Sequence, residues 1–261
     1  MKVLITGASR GIGAAVARSF AKRGAQTVLV ARSNNDPVHG SLEGTLMETE
    51  REVRALGGLP IVMNCDVGDA DAWKETLKGV NNSLDGVDVL INNASALYIN
   101  KTSSVKEMDV LYRVNTRATM LAIQECLPYM NRNGGSIVTL SPPIRMGRLE
   151  WLSMHPSYTV SKYSMSMATL AAASNNVRAN CLWPKRMVAT AATKRIEEFV
   201  PGAYTNGRSP DEVSESIYKL AVEMDCNAEC VLDEDVMDMS SYDAPMDAFV
   251  EDAHAVHSFS C

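Results

Sequence analysis

The chain has 261 residues, 46% of them apolar, and a formal net charge of −6. That length lets one α/β domain bury a substantial core, and the negative balance argues against a surface that holds nucleic acid. No apolar run reaches membrane-spanning length, which argues against an integral helical membrane protein.

A strand signal begins at residue 2, leaving no room for a leader before it. Lys2-Val-Leu-Ile5 reads as a buried parallel strand. Gly7, Gly11 and Gly13 follow in G-x-x-x-G-x-G spacing, with Ser9, Arg10 and Ile12 between them. A helical pattern then runs from Ala14 to Arg23 and stops at Gly24. Strand, glycine turn and helix together are the context of a phosphate-binding turn. Glycine lets the backbone bend tightly and lets a pyrophosphate approach its N–H groups, and the helix start adds unpaired donors. Glycines without that context would be an ordinary β–α turn; with it, the segment predicts a dinucleotide site.

Gln26-Thr-Val-Leu-Val30 is the second strand. A site for NAD usually ends this strand with an acid on the ribose 2′-hydroxyl. Here Ala31-Arg32-Ser33 stands there, and Asp36 falls in the loop beyond. Arg10, Arg32 and the Ser33 hydroxyl suit a 2′-phosphate, so NADP(H) is expected over NAD(H). The other reading is two solvated surface arginines.

A polar turn over 33–40 leads to a helix over about 41–56, ended by Gly57-Gly58. A strand over 60–65 ends at Asp66, followed by a helix over about 70–81 and a strand over 87–91. Asn92-Asn93-Ala94 then precedes a long helix over about 109–130, with Pro128 near its end. A strand over 136–140, a helix over about 158–173 and a strand over 177–182 come next. Helices over about 189–199 and 210–223 precede a last strand near 230–232. Alternating strands and helices predict an α/β fold, a doubly wound parallel sheet with right-handed crossovers and helices on both faces. Ligands gather beyond the strand C-termini, where every motif above lies. There is no internal repeat or inter-domain linker, so residues 1–261 read as a single domain with a tail from about 240.

Six cysteines without small-scaffold spacing point to reduced thiols in a cytoplasm-like compartment. Cys226-x-x-x-Cys230 and His254-x-x-His257 lack a second pair at zinc-site spacing, so no metal is expected. Among eight tyrosines, Tyr158 alone has Lys at i+4, Lys162. That spacing puts both on one helix face. A tyrosine near pKa 10 is a poor base at neutral pH, and a cation one turn away favours its phenolate. A lone Tyr–Lys pair is usually a surface contact; its placement after the fifth strand favours a proton-transfer role.

With these residues placed, the chain resembles the short-chain dehydrogenase/reductase family over nearly its whole length. The carriers are Thr6-Gly-x-x-x-Gly-Ile-Gly13, Asp66-Val67, Asn92-Asn-Ala94, Asn115, Tyr158-x-x-x-Lys162 and Pro184. More narrowly it is similar to the hydroxysteroid dehydrogenase-like protein 2 branch. There the matching segments are Asn92-Asn-Ala-Ser-Ala96, Val114-Asn-Thr-Arg117, Leu140-Ser-Pro-Pro143, Tyr163-Ser-Met-Ser-Met167, Leu182-Trp-Pro-Lys185, Thr190-Ala-Ala-Thr193 and Leu232-Asp-Glu-Asp235. The resemblance implies a Rossmann-type fold and an NADP(H)-dependent oxidoreductase interconverting a carbonyl and an alcohol. It implies Tyr158 as acid/base, Lys162 as its pKa-lowering partner on the nicotinamide ribose, and Asn115 as keeper of a water relay. Asp66 and Val67 would contact adenine, Asn93 and Ala94 the ribose, and Val188 and Thr190, beyond Pro184, the carboxamide. Some members of that branch carry a C-terminal sterol-carrier-like domain, for which this chain leaves no room. A peroxisomal or mitochondrial address is implied by the resemblance only.

Three features depart from the family pattern. The serine expected just after the fifth strand falls on Pro142, and Ser141 sits one residue early. Adjacent side chains of an extended segment face opposite ways, so Ser141 replaces that serine only where Pro142-Pro143 bends the chain. One lost oxyanion donor costs on the order of 10²–10³ in rate, so weak turnover, or a cofactor-binding regulatory protein, is the competing expectation. Ser153, His155 and Ser157 are lesser candidates for the donor. The helix end before Val177 is several residues short of the family pattern. Lys185 stands where glycine is usual.

The expected substrate wall draws on 97–100, 144–156 and 187–202, with Trp151, Leu152, Met154, Met187, Ile196 and Phe199. It suits an apolar or lipid-like compound; some of these residues could equally be core or subunit contacts. The long helices over about 109–130 and 158–173 correspond to those that pair across a two-fold axis in the family, implying a homodimer or homotetramer.

Overall fold

The computed structural model describes residues 1–33, 43–144, 153–198 and 200–237. Seven parallel strands form one sheet in the order β3-β2-β1-β4-β5-β6-β7. They are β1 (Lys2–Thr6), β2 (Gln26–Ala31), β3 (Leu59–Asn64), β4 (Val89–Asn92), β5 (Gly135–Leu140), β6 (Val177–Trp183) and β7 (Cys230–Leu232). Chain order reverses at β1, which pairs with both β2 and β4 through Val3, Leu4 and Ile5. That reversal opens the crevice in which ligands of such sheets bind.

Side-chain alternation along the strands divides the core into two layers. Val3, Ile5, Leu29 and Val138 face one side, where they pack with Val16 and Phe20 of α1 (Gly11–Ala21). Leu4, Val28, Leu90 and Ile137 face the other, with Trp73 and Leu77 of α3 (Ala70–Leu84). A central strand buried on both faces needs apolar residues at consecutive positions, and Val3-Leu4-Ile5 supplies them. Trp73 has no exposed surface, and its indole N–H donates to Ala118 O at 3.0 Å.

The expected α/β doubly wound sheet is observed, with several shifted ends. The second helix, α2 (Leu46–Ala55), starts later than the expected 41. Gly44 holds φ +104, outside helical space, and Thr45 caps the helix in a reciprocal box with Glu48. The long central helix starts earlier. Ser104 caps α4 (Val105–Leu111) in the same way with Glu107, and a π-helical stretch, Tyr112–Arg117, joins it to α5 (Ala118–Asn133). The helix of the Tyr–Lys pair, α6 (Pro156–Ala171), begins with proline in its first turn, where the missing N–H costs nothing. The short connection to β6 closes through reciprocal bonds between Ser174 and Val177, N–H to O at 3.0 and 3.3 Å. Beyond β6 lie α7 (Ala191–Ile196), α8 (Pro210–Tyr218) with a π-helical extension Lys219–Glu223, and α9 (Asp233–Met237).

Candidate functional site

A cleft of about 320 Å³ opens over the C-terminal ends of β1, β2 and β4. Its floor is the glycine turn. Gly7 adopts φ +69, and a Cβ there would stand 2.8 Å from Asn93 Nδ2. Gly13 contributes by close packing: a Cβ on it would meet Gly7 O at 2.3 Å. It is therefore structural support for the turn rather than part of the cleft lining. Asn93 holds the turn from the neighbouring strand. Its Nδ2 donates to Thr6 O at 2.9 Å and Gly7 O at 3.2 Å, while its N–H and that of Ala94 donate to Thr6 Oγ1, both at 3.0 Å.

Of the residues expected to hold a cofactor, Gly7, Ser9, Arg10, Gly11, Ile12, Arg32, Ser33, Asp66, Val67, Asn93, Ala94 and Thr190 line this cleft. Arg10 Nη2 donates to Ser33 Oγ at 2.7 Å. Burial and the nearby Arg32 charge both hold the Arg10 guanidinium below its ordinary pKa. Two like charges held this close favour an anion between them. Arg32 Nη1 also lies 3.7 Å from Asp66 Oδ2, a half-exposed pair of little net value.

Val188, expected beside the carboxamide, is not among the residues that line this cleft. It is 6% exposed and belongs to the core, pairing as a one-residue bridge with Arg208. Thr190 beside it caps α7 and faces the cleft. This segment is anchored by buried Asp233, which pairs with Arg208 and accepts from Lys185 N–H at 2.9 Å. Pro184 directly follows β6 and is outside the lining.

Asn115, in the π-helical stretch, has no exposed surface. Its Oδ1 accepts from Ala96 N–H at 2.7 Å and Ser95 Oγ at 3.2 Å. Its Nδ2 donates to Ala96 O at 3.1 Å and Ser161 Oγ at 2.9 Å. Ser161 Oγ in turn donates to Tyr158 O at 2.7 Å. The amide thus ties the loop after β4 to the helix that carries Tyr158.

Tyr158 and Lys162 differ from the expectation of a cation-stabilised phenolate. Burial pushes the Tyr158 phenol up to about 12, and a hydrogen bond with the Ser95 side chain opposes the rise. Lys162 is 2% exposed; its ammonium donates to Leu140 O and lies 5.4 Å from the Trp183 ring centroid. Burial lowers it to about 7. The i,i+4 spacing places both on α6, yet the lysine charge is spent on a strand-end carbonyl.

Ser141 is a correction. The Ser-Pro-Pro segment does not swing its hydroxyl outward. Ser141 is wholly buried, its N–H continues the sheet to Leu182 O at 3.1 Å, and its side chain reaches the Cys181 thiol without a well-formed hydrogen bond. Pro142 is buried too, and its carbonyl accepts from Ser166 Oγ at 2.6 Å. Of the expected substrate wall, Trp151, Leu152 and Phe199 lie outside the described residues, and Met154, Met187 and Ile196 do not line the cleft. Ser95, Val114, Ala191 and Ala192 do, and the sequence reading passed over them.

A parallel sheet with its glycine turn at the switch point defines a dinucleotide-binding α/β protein. The family model for short chain dehydrogenases matches residues 1–200, and the chain belongs to that family. It is 35% identical over 224 residues to hydroxysteroid dehydrogenase-like protein 2 of Homo sapiens, covering 84% of this chain and 52% of that protein. The chain thus spans about half the length of the curated relatives it matches. A short chain dehydrogenase from Mycobacterium thermoresistibile is 30% identical with a TM-score of 0.77, over 92% of this chain and 86% of that one. A metagenomic short-chain oxidoreductase in complex with NADP is 28% identical with a TM-score of 0.69, over 89% and 95%.

Proposed function

We propose that the chain is an NADP(H)-dependent oxidoreductase that interconverts a carbonyl and an alcohol, with Tyr158 as the acid/base. The observation that carries this reading is the Arg10–Ser33–Arg32 cluster at the end of β2, in the same cleft as the glycine turn. The cradle fits the cofactor: the Gly7 and Gly13 positions leave no room for a Cβ, and the paired guanidiniums answer a 2′-phosphate. Gly7, Ser9, Gly11 and Ile12 would hold the pyrophosphate, and Asp66, Val67, Asn93 and Ala94 the adenosine and nicotinamide ribose groups. The bound cofactor would supply or accept the hydride. Tyr158 would give its proton to the substrate oxygen during reduction and take it back during oxidation.

The substrate reading is an apolar or lipid-like compound. Leu97, 41% exposed, and Met187, 40% exposed, offer apolar side chains on the loops that follow β4 and β6. For assembly we propose a homodimer or homotetramer. Tyr112, Met120, Val160 and Met167 leave large apolar surfaces exposed on the Tyr112–Arg117 stretch, α5 and α6, and light scattering that finds only monomers would overturn it. A second reading is a cofactor-binding regulatory protein with weak turnover; buried Ser141 and the raised Tyr158 pKa favour it.

The deciding experiment is a panel of aliphatic, sterol and aromatic carbonyls with NADPH, followed by cofactor absorbance. Turnover that falls about 10²-fold or more in Tyr158→Phe supports the enzyme reading. Binding of NADPH with no turnover across the panel supports the regulatory one.

A further inference from the structure

The turn after β3 forms part of the cofactor cleft, and a side chain outside the cleft lining holds it there. Ladder pairing carries β3 as far as Asn64, and the Cys65 N–H adds a bond to Ala31 O at 3.0 Å. Beyond that the turn closes on itself. Asp66 Oδ1 accepts from Gly68 N–H at 2.8 Å, and Asp66 O accepts from Asp69 N–H at 2.9 Å. These two bonds shape the turn without tying it to any other element. Arg117 makes that tie: its Nη2 donates to Gly68 O at 2.5 Å.

We propose that Arg117 is a positioning residue for the adenine half of the cofactor, seating the Asp66–Val67 turn against Val114. The inference rests on the NADP(H) reading above and adds to that site a residue that does not line it.

The turn and the π-helical stretch meet closely. A Cβ on Gly68 would stand 3.2 Å from Val114 Cγ2 and 3.1 Å from Asp66 Oδ1. Asp66, Val67 and Val114 all line the cleft, whereas Arg117 lies outside the lining. A purine ring needs apolar contact on its faces and an acceptor at its amino edge. Val67 and Val114 offer the first, and the Asp66 carboxylate, oriented by Gly68 N–H, offers the second. Side chains two apart on a helical stretch do not face each other. Asn115 thus reaches Ala96 in the loop after β4, while Arg117 reaches the turn after β3. One stretch, Tyr112–Arg117, grips both sides of the cleft.

Arg117 is poorly placed as a stabilising residue. Its Nε is buried without a hydrogen-bond partner, and its Nη2 meets a carbonyl, which cannot neutralise a guanidinium. Docking of α3 has its own tie, the indole N–H of Trp73 to Ala118 O at 3.0 Å. Removing the guanidinium therefore frees the turn while α3 stays held.

The test titrates full-length wild type, Arg117→Met, Arg117→Gln and Arg117→Lys by calorimetry with NADPH and with adenosine 2′,5′-bisphosphate, which carries the adenine half alone. In Arg117→Met and Arg117→Gln both probes should bind about tenfold more weakly, by the same factor, with unchanged stoichiometry. Lysine can make the single bond to Gly68 O, so Arg117→Lys should bind both within about threefold of wild type. Unchanged affinity for the bisphosphate in the two neutral variants would overturn the proposal. A loss that lysine does not recover, or one larger for NADPH than for its adenine half, would make Arg117 a general scaffold and overturn it too. Unfolding of both neutral variants in the absence of urea would do the same. Wild type that binds neither probe would instead bring down the cofactor reading beneath it.

Discussion

Asn115 grips Ala96 with both ends of its amide: Oδ1 accepts the Ala96 N–H at 2.7 Å, and Nδ2 donates to the Ala96 carbonyl at 3.1 Å. This pairing copies one rung of a β-ladder with a side chain. It holds the backbone at the edge of the cleft, beyond the ladder pairs of β4, which end at Asn92. The π-helical stretch at Tyr112–Arg117 is what carries Asn115, and such bulges recur at functional positions.

Asn115→Ala should therefore cost both stability and turnover. The Ala96 N–H and the Ser161 hydroxyl each lose a partner, a penalty of about 1–3 kcal/mol for each buried group left bare. Urea unfolding should show the loss, and NADPH-dependent turnover should fall further than folding alone explains, because the Ser95 loop and α6 are no longer tied. Wild-type stability in the variant would refute the clamp.

Arg32→Asp should narrow or reverse the preference for NADPH over NADH. The substitution removes the charge that, together with burial, holds the Arg10 pKa down and places an acid close to Asp66, 3.7 Å from the present guanidinium. Like charges facing a 2′-phosphate discriminate against it, by about tenfold or more in the ratio of dissociation constants. Titration of both cofactors by protein fluorescence measures that ratio; equal affinities in the unmodified protein would end the argument.

Ser141→Ala should be close to silent. A hydroxyl with no exposed surface and no well-formed hydrogen bond gains little from its environment, and its removal should change stability by about 1 kcal/mol or less. Turnover and NADPH affinity should match wild type. A large fall in kcat would return Ser141 to the reacting centre.

The parts legible in the sequence are those fixed by local pattern. Val3-Leu4-Ile5, the glycine spacing and the Tyr158–Lys162 offset each declare themselves within a few residues, and the parallel sheet with helices on both faces follows from the alternation of strands and helices. What the sequence concealed depends on tertiary contact. Ser141 is one residue from the expected serine, but sheet alternation and the Leu182 hydrogen bond hold it inside. The offset of Lys162 is right for aiding Tyr158, yet the Leu140 carbonyl takes its charge. The tie from Asn115 to Ala96 and to Ser161 joins the β4 loop to α6 and has no periodic signature. The helix expected over about 41–56 begins at Leu46, after Gly44 at φ +104 and the Thr45 cap, a backbone choice that hydropathy does not encode.

Lys162 makes stability depend on pH in a direction that can be worked out. Its ordinary value is 10.5, and burial lowers it to about 7 in the folded chain. Between those values the unfolded chain binds a proton that the folded chain does not. Stability therefore rises with pH across about 7 to 10, with a slope that one proton limits to about 1.4 kcal/mol per pH unit. Tyr158 acts in the opposite sense but higher up. Its phenol is raised from 10.0 to about 12, so the folded chain keeps a proton that the unfolded chain sheds, and stability falls again above pH 10. Buried Cys126, raised from 9.0 to about 12, acts in the same falling sense from about pH 9, so it is the difference between wild type and a Lys162 variant that isolates the lysine. Urea unfolding at about pH 7, 8 and 9 should show the wild-type midpoint climbing, and Lys162→Met, which keeps the length of the side chain and removes the charge, should flatten the climb. The variant also surrenders the donor to Leu140 O, so its absolute stability is not the readout; the difference in slope is. Parallel pH profiles for the two proteins would show that the buried ammonium is not the group that titrates.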